Sequence, residues 1–112
     1  MTHILRFRAE DHNNFDEIKS GSKSIETRAA GRKYQKVKIG DTLTFICAED
    51  KLTKKVTKIH YWKNIDEMVG KVDFKTIMPS IESVESMKKV YSSYPNYDEK
   101  IKRFGILGFE MI

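Results

Sequence analysis

Ile18-Lys19-Ser20-Gly21-Ser22-Lys23-Ser24-Ile25-Glu26-Thr27-Arg28 closes a helix and opens a strand, and its reading decides the fold. Upstream, Asp11, Asn13 and Asn14 are candidate caps. Asp16 and Glu17 supply first-turn acids, while Phe15 and Ile18 lie one helical turn apart. Gly21 stands where a helix end takes a residue tolerant of positive φ, and Lys19 complements the negative end of the dipole. From Ser24 to Arg28 the pattern is a short strand, so Ser24, Glu26 and Arg28 share one face. Lys23, at the turn, reaches over either face. An ammonium, a carboxylate and a guanidinium beside a turn suit phosphate binding or proton transfer. The plainer reading is an exposed ion pair, Lys23–Glu26 or Glu26–Arg28, of almost no energetic worth.

Outward from this stretch, Ile4 to Arg8 reads as a first strand with Leu5 and Phe7 on one face. Ala29 to Lys36 is loop-like, polar and basic. Gly40-Asp41 punctuates an alternating strand, Thr42 to Ala48, and Glu49-Asp50-Lys51 turns it into a long strand, Leu52 to Trp62. These two form the best-supported hairpin of the chain. Asn64 caps a short helix with Ile65, Met68 and Val69, stopped by Gly70. Phe74, Ile77 and Met78 repeat that spacing before Pro79. Ser83 caps a clearer helix whose stripe is Val84, Met87, Tyr91 and Tyr94, with Pro95 beyond. Asp98 to Arg103 adds a turn, and Gly105 to Met111 is a final strand with Leu107, Phe109 and Met111 on one face. Strands mixed with short helices give an α+β class.

The order Gly21-x-Lys23-x-x-Glu26-x-Arg28, a basic loop, Gly40-Asp41 before a strand, a Lys-rich strand ending Ile59-His60-Tyr61-Trp62, and the closing Gly105-Ile106-Leu107-Gly108-Phe109 resembles the ASCH domain family. The resemblance runs from about Leu5 to Met111. It implies a small mixed β-barrel of the PUA-like kind with short flanking helices, and a single ASCH-like domain over residues 1–112. Strands from Leu5, Ser24, Thr42, Leu52 and Gly105 would then curl around Leu43, Phe45, Leu107 and Phe109. The helices at 13–20 and 83–93 would pack outside or plug an end.

With 112 residues, 39% of them hydrophobic, the expectation is one domain with one core. No apolar run is long enough to span a membrane, and the N-terminus reads as a strand rather than a signal peptide. Cys47 is the only cysteine, which excludes an internal disulfide and a zinc site built on several thiolates. In phase with Leu43 and Phe45, it reads as a buried core thiol. A cytoplasmic location follows as the default expectation. The net charge of +5 is uneven: residues 19–38 carry +6 and residues 51–63 carry +5, leaving −6 for the remainder. Such segregation is the footprint of a polyanion-binding face, although Lys51, Lys54, Lys55 and Lys58 also suit the solvated side of an exposed strand.

His3, His12 and His60 show no ligand spacing, so neither a metal site nor a cofactor is expected. Tyr61 and Trp62 are adjacent in a strand and face opposite ways, so at least one belongs to the core. Tyr34, in the basic loop, is the better stacking candidate, and Tyr91 and Tyr94 read as core residues whose hydroxyls reach a cleft. The resemblance implies an RNA- or modified-nucleoside-binding cleft beside the GxKxxExR strand. Gly21 would shape the turn, Lys23, Glu26 and Arg28 would line it, and Arg32, Lys33, Tyr34, Lys36 and Lys38 would form a rim. Some ASCH-like proteins are N4-acetylcytidine amidohydrolases, whose motif pairs a lysine with a hydroxyl residue three positions later and a distant glutamate. Lys23 matches, whereas Glu26 occupies the hydroxyl position and the nearby hydroxyls of Ser24 and Thr27 are out of register, so an enzyme here would rely on Lys23 and on Glu26 to activate water. A ribonuclease role has also been linked to the family.

Overall fold

The computed structural model describes residues 1–112. Strand β1 (Thr2–Phe7) leads through a 3-10 turn into helix α1 (His12–Ser20), and strand β2 (Ile25–Ala29) follows. A single turn, α2 (Arg32–Gln35), interrupts the stretch expected to be loop. Strands β3 (Thr42–Cys47) and β4 (Asp50–Trp62) form the hairpin read from the sequence, turning through Ala48 at φ 52°. Helices α3 (Ile65–Lys71), α4 (Val84–Ser93) and α5 (Tyr97–Phe104) precede strand β5 (Ile106–Met111).

Local chemistry explains most boundaries. Asn64 and Ser83 accept the backbone N–H groups of Glu67 and Ser86, capping α3 and α4. Gly70, expected to stop α3, lies inside it, because the chain stays helical through Lys71. Asp11 occupies the N-cap of α1 without a capping bond, being held in an ion pair 2.7 Å from the Arg8 side chain. Asn14 is therefore not a cap but a buried residue of the first turn. Gly21 ends α1 at φ 89°, where a Cβ is strained.

The five strands make one sheet in the order β1-β3-β4-β5-β2. Only β1 and β3 run parallel; the other pairs are antiparallel. Strand β4, thirteen residues long, pairs with β3 through its first half and β5 through its second. A register shift between Val56 and Lys58 marks the change. A bulge of this kind bends a strand and raises its twist, which brings the two edge strands toward each other. The small closed barrel expected from the resemblance is not completed by backbone hydrogen bonds, because β1 and β2 remain unpaired edges. Between them a side chain bridges: Arg28 Nη2 donates to the Arg6 carbonyl at 3.4 Å.

The single core expected from chain length is instead two buried clusters. One holds Leu5, Phe15, Ile18, Leu43, Phe45, Cys47 and Phe109, with Leu107 at its margin. The other, under α3 to α5, holds Ile25, Trp62, Met68, Met87, Tyr91 and Ile106. Ile106 and Phe109 point to opposite faces of β5, so that strand is covered on both sides. Trp62 lies across Gly108, where a Cβ would stand 2.5 Å from its ring. Tyr61, its neighbour, is 59% exposed.

Candidate ligand-binding cleft

Strand β2 puts Glu26 and Arg28 on one face, toward the gap with β1. Glu26 is 2% exposed and Lys23 3%, so the exposed ion pair weighed from the sequence is in fact buried. The Lys23 ammonium donates to the Ile77 carbonyl at 2.6 Å and lies 3.3 Å from Glu26 Oε1. The Thr27 N–H donates to the same oxygen at 3.0 Å. Arg28 grips the other, Oε2, from Nη2 at 3.1 Å and from Nε at 3.3 Å. A carboxylate offers about four lone-pair sites, and four donors engage them here. Glu26 thus organises the two cations.

Burial pushes the Glu26 carboxyl up, but the charges of Lys23 and Arg28 and their hydrogen bonds outweigh it, and the group sits below its ordinary range. Burial works against the Arg28 guanidinium too, and Glu26 reverses it, raising the group above its ordinary value. The triad thus sets two cationic side chains against one carboxylate. Its guanidinium lies 5.1 Å from the Phe7 ring centroid and 5.7 Å from that of Tyr34, whose hydroxyl accepts from Nη1 at 3.3 Å.

Around this triad lies a cavity of about 170 Å³. Arg6 and Phe7 line it from β1 and Arg8 from just past that strand, with Tyr91 from α4, Tyr94 from the C-cap of α4 and Tyr97 from the start of α5. Tyr94 and Tyr97 meet edge-on with centroids 5.3 Å apart, and Arg8 covers the outer face of Tyr94 at 5.3 Å. Tyr91 and Thr27 share a short hydroxyl–hydroxyl hydrogen bond at the floor. Burial raises the phenol of Tyr91, and that of Tyr94 to about 12, so both are neutral donors at physiological pH. The Ala29 N–H donates to the Tyr97 hydroxyl at 3.4 Å, which leaves the phenolic proton free.

The sequence candidates divide in two. Lys23, Glu26 and Arg28 come together at the cavity, with Tyr91 and Tyr94 reaching it. Gly21 is exposed at the turn before them. Arg32, Lys33, Lys36 and Lys38 are exposed on and after α2, and none lines the cavity. Tyr34 touches it only through Arg28, and its ring also carries Lys33 at 5.5 Å. Sequence reasoning missed the side formed by Arg6, Phe7 and Arg8, and also Asp11, Asn14, Met78, Pro95 and Tyr97. The three-residue spacing of Tyr91, Tyr94 and Tyr97, continued across Pro95, was the one signal that pointed to the wall.

His3, His12 and His60 each face carboxylates: Asp41, the pair Asp16 and Asp50, and Glu110. No three His, Cys, Asp or Glu side chains gather closely enough to hold a metal ion. No helix is long and apolar enough to cross a membrane.

The family model of the ASCH domain matches residues 11–112. No curated protein matches the chain. The solved structures similar to this chain over nearly their whole length include two small proteins of the same fold, PH0355 and PF0455. The crystal structure of the hypothetical protein PH0355 is 29% identical with a TM-score of 0.85, covering 99% of this chain and 97% of its own. The solution NMR structure of PF0455 from Pyrococcus furiosus is 26% identical with a TM-score of 0.77, covering 99% and 96%.

Proposed function

The chain belongs to the ASCH domain family, and from that premise we propose that the cleft between β1 and β2 binds single-stranded RNA or a modified nucleoside. The observation that carries this reading is the buried Lys23–Glu26–Arg28 triad, with its excess positive charge, facing a cavity walled by tyrosines. Cations held in place attract phosphates, and half-buried aromatic rings accept bases on their faces. A cavity near 170 Å³ is of the size that holds one aromatic ring, on the order of 150 Å³. The exposed Arg32, Lys33, Lys36 and Lys38 add sequence-independent attraction outside it. In this proposal the ladder of a PUA-like barrel is left open at the β1–β2 seam, and the opening is the binding site.

The competing reading is hydrolysis of an acylated pyrimidine nucleoside, as in N4-acetylcytidine amidohydrolases, and a ribonuclease is a weaker third. Thr27 offers a hydroxyl in the cavity. A base to activate it is harder to find: Glu26 is held ionised below its usual range with its oxygens engaged, and Tyr91 is raised by burial. General bases work best near the operating pH, so these groups support binding over turnover.

The test is anisotropy of short labelled RNA and calorimetry with pyrimidine nucleosides at low salt, alongside an assay of N4-acetylcytidine hydrolysis. Binding without turnover is expected. Turnover abolished by Lys23→Met or Thr27→Val would establish the hydrolase instead, and no binding to the wild-type protein at low salt would overturn the proposal.

A further inference from the structure

The donors and acceptors facing the cavity are strongly unequal. Glu26 has four donors on its two oxygens. Asp11 is taken by Arg8, and the Ile77 carbonyl by Lys23. Against these engaged acceptors stand donors still unmatched. Lys23 has three N–H groups, of which the Ile77 carbonyl and Glu26 account for two. Arg28 has five, of which Glu26, the Arg6 carbonyl and the Tyr34 hydroxyl account for four. The Tyr97 hydroxyl accepts from Ala29 and keeps its own proton. Every nucleobase carries at least one N–H donor on its pairing edge, which at the Lys23–Arg28 end would be buried against other donors; the Asn14 amide oxygen and the tyrosine hydroxyls are the acceptors that the rest of the lining offers. An unmatched buried donor costs about 1–3 kcal/mol. A phosphate group, by contrast, only accepts.

Charge points the same way. The buried triad holds one positive charge beyond its internal pairing, and exposed Arg6 stands next outward on β1. A terminal phosphate carries about −1.5 to −2 at neutral pH. The confined volume also matters, since an internal phosphodiester would have to bring chain in and out of a cavity of about 170 Å³. We propose that the Lys23–Arg28 pocket is a reader of terminal phosphate, taking the phosphorylated end of a nucleotide while Tyr94 and Tyr97 give its nucleoside an aromatic wall. This rests on the nucleic-acid reading of the cleft and narrows it. Glu26 is here a positioning residue, and Lys23 and Arg28 are the binding groups.

The experiment compares one short RNA prepared with hydroxyl ends, with a 5′-phosphate and with a 3′-phosphate, and compares uridine with its monophosphates. At least one phosphorylated end should bind about tenfold or more tighter than the hydroxyl form, as charge-assisted pairing to two fixed cations requires. Inorganic phosphate should compete for that increment. Mononucleotides binding as tightly as the phosphorylated oligomer would identify a free nucleotide as sufficient, and weaker binding would identify a strand end; both outcomes uphold the site. Equal affinity of phosphorylated and hydroxyl ends would overturn the inference while leaving RNA binding intact. No binding of any form would remove both. Lys23→Met should erase the preference for the phosphorylated end. Because that substitution leaves the buried Glu26 and the Ile77 carbonyl short of a donor, a second readout uses the wild type alone. The 31P resonance of bound uridine monophosphate should titrate at lower pH than that of the free nucleotide, and an unmoved titration would count against the pocket.

Discussion

At the scale of single residues, Glu26 has the largest consequence. Removing one member of a buried ion pair leaves charge uncompensated, so Glu26→Gln should cost about 3 kcal/mol or more in urea denaturation. A surface pair would lose less than about 1 kcal/mol, and that smaller value would contradict the burial seen here. The pH dependence has a definite sign. The folded carboxyl sits below its ordinary 4.5, so between the two values the unfolded chain binds more protons. The stabilisation is therefore complete above about 4.5 and is lost as pH falls through the folded value. Glu26→Gln should flatten that acid limb in denaturation curves measured from pH 6 downward. Asp41, held at about 2 by hydrogen bonds from His3 and the Lys38 N–H, contributes to the slope that remains. Spacing alone placed Lys23, Glu26 and Arg28 together. It did not show that they are buried, because Ile77, fifty-four residues away from Lys23, supplies the carbonyl that permits it.

Among the elements, β5 and α1 carry separate tests. Gly108 on β5 lies under the Trp62 ring, with no room for a methyl group. Gly108→Ala should destabilise by about 1–3 kcal/mol through overpacking, read as a lowered thermal midpoint. Helix α1 is tied to the start of β4 by His12, whose Nε2 meets Asp50 at 2.7 Å while Nδ1 meets Asp16 at 3.0 Å. The Asp50 hydrogen bond, then that of Asp16, raises the imidazole above 6.5. Its contribution is present below that value and is lost as pH rises through the folded one. In an NMR titration Asp50→Asn should bring the His12 midpoint back down. The β3–β4 hairpin was legible because strict alternation and a tight turn are both local, although the turn falls at Ala48-Glu49, one position before the expected Glu49-Asp50-Lys51. The parallel pairing of β1 with β3 was not, since the α1 and β2 segments intervene and nothing local selects a partner across them.

For the whole molecule, the basic segments set long-range attraction while the cavity sets the anchor. Replacing Lys33 and Lys36 together with alanine should weaken all RNA sequences alike. The salt dependence of binding should flatten by about 1.4 in log–log slope, at roughly 0.7 per single-strand phosphate. A change confined to one sequence would contradict a purely electrostatic role for α2. Both lysines are exposed and neither lines the cavity, so the anchor itself should remain.

What the sequence determined by itself was local: the capped helices, the hairpin, the shared face of Glu26 and Arg28, and the family motif that names the fold. Each depends on residues within a few positions of one another, where sterics and periodicity act without the rest of the chain. Tertiary structure alone decided that the sheet stays open between β1 and β2, that its core divides in two, and that Tyr91, Tyr94 and Tyr97, on and between α4 and α5, wall the opening. These follow from which distant surfaces exclude water together. Burial of that kind belongs to the packed molecule, so the same three charged residues read as a weak surface pair along the chain and become a buried cationic site only once β1, Ile77 and the tyrosines close around them.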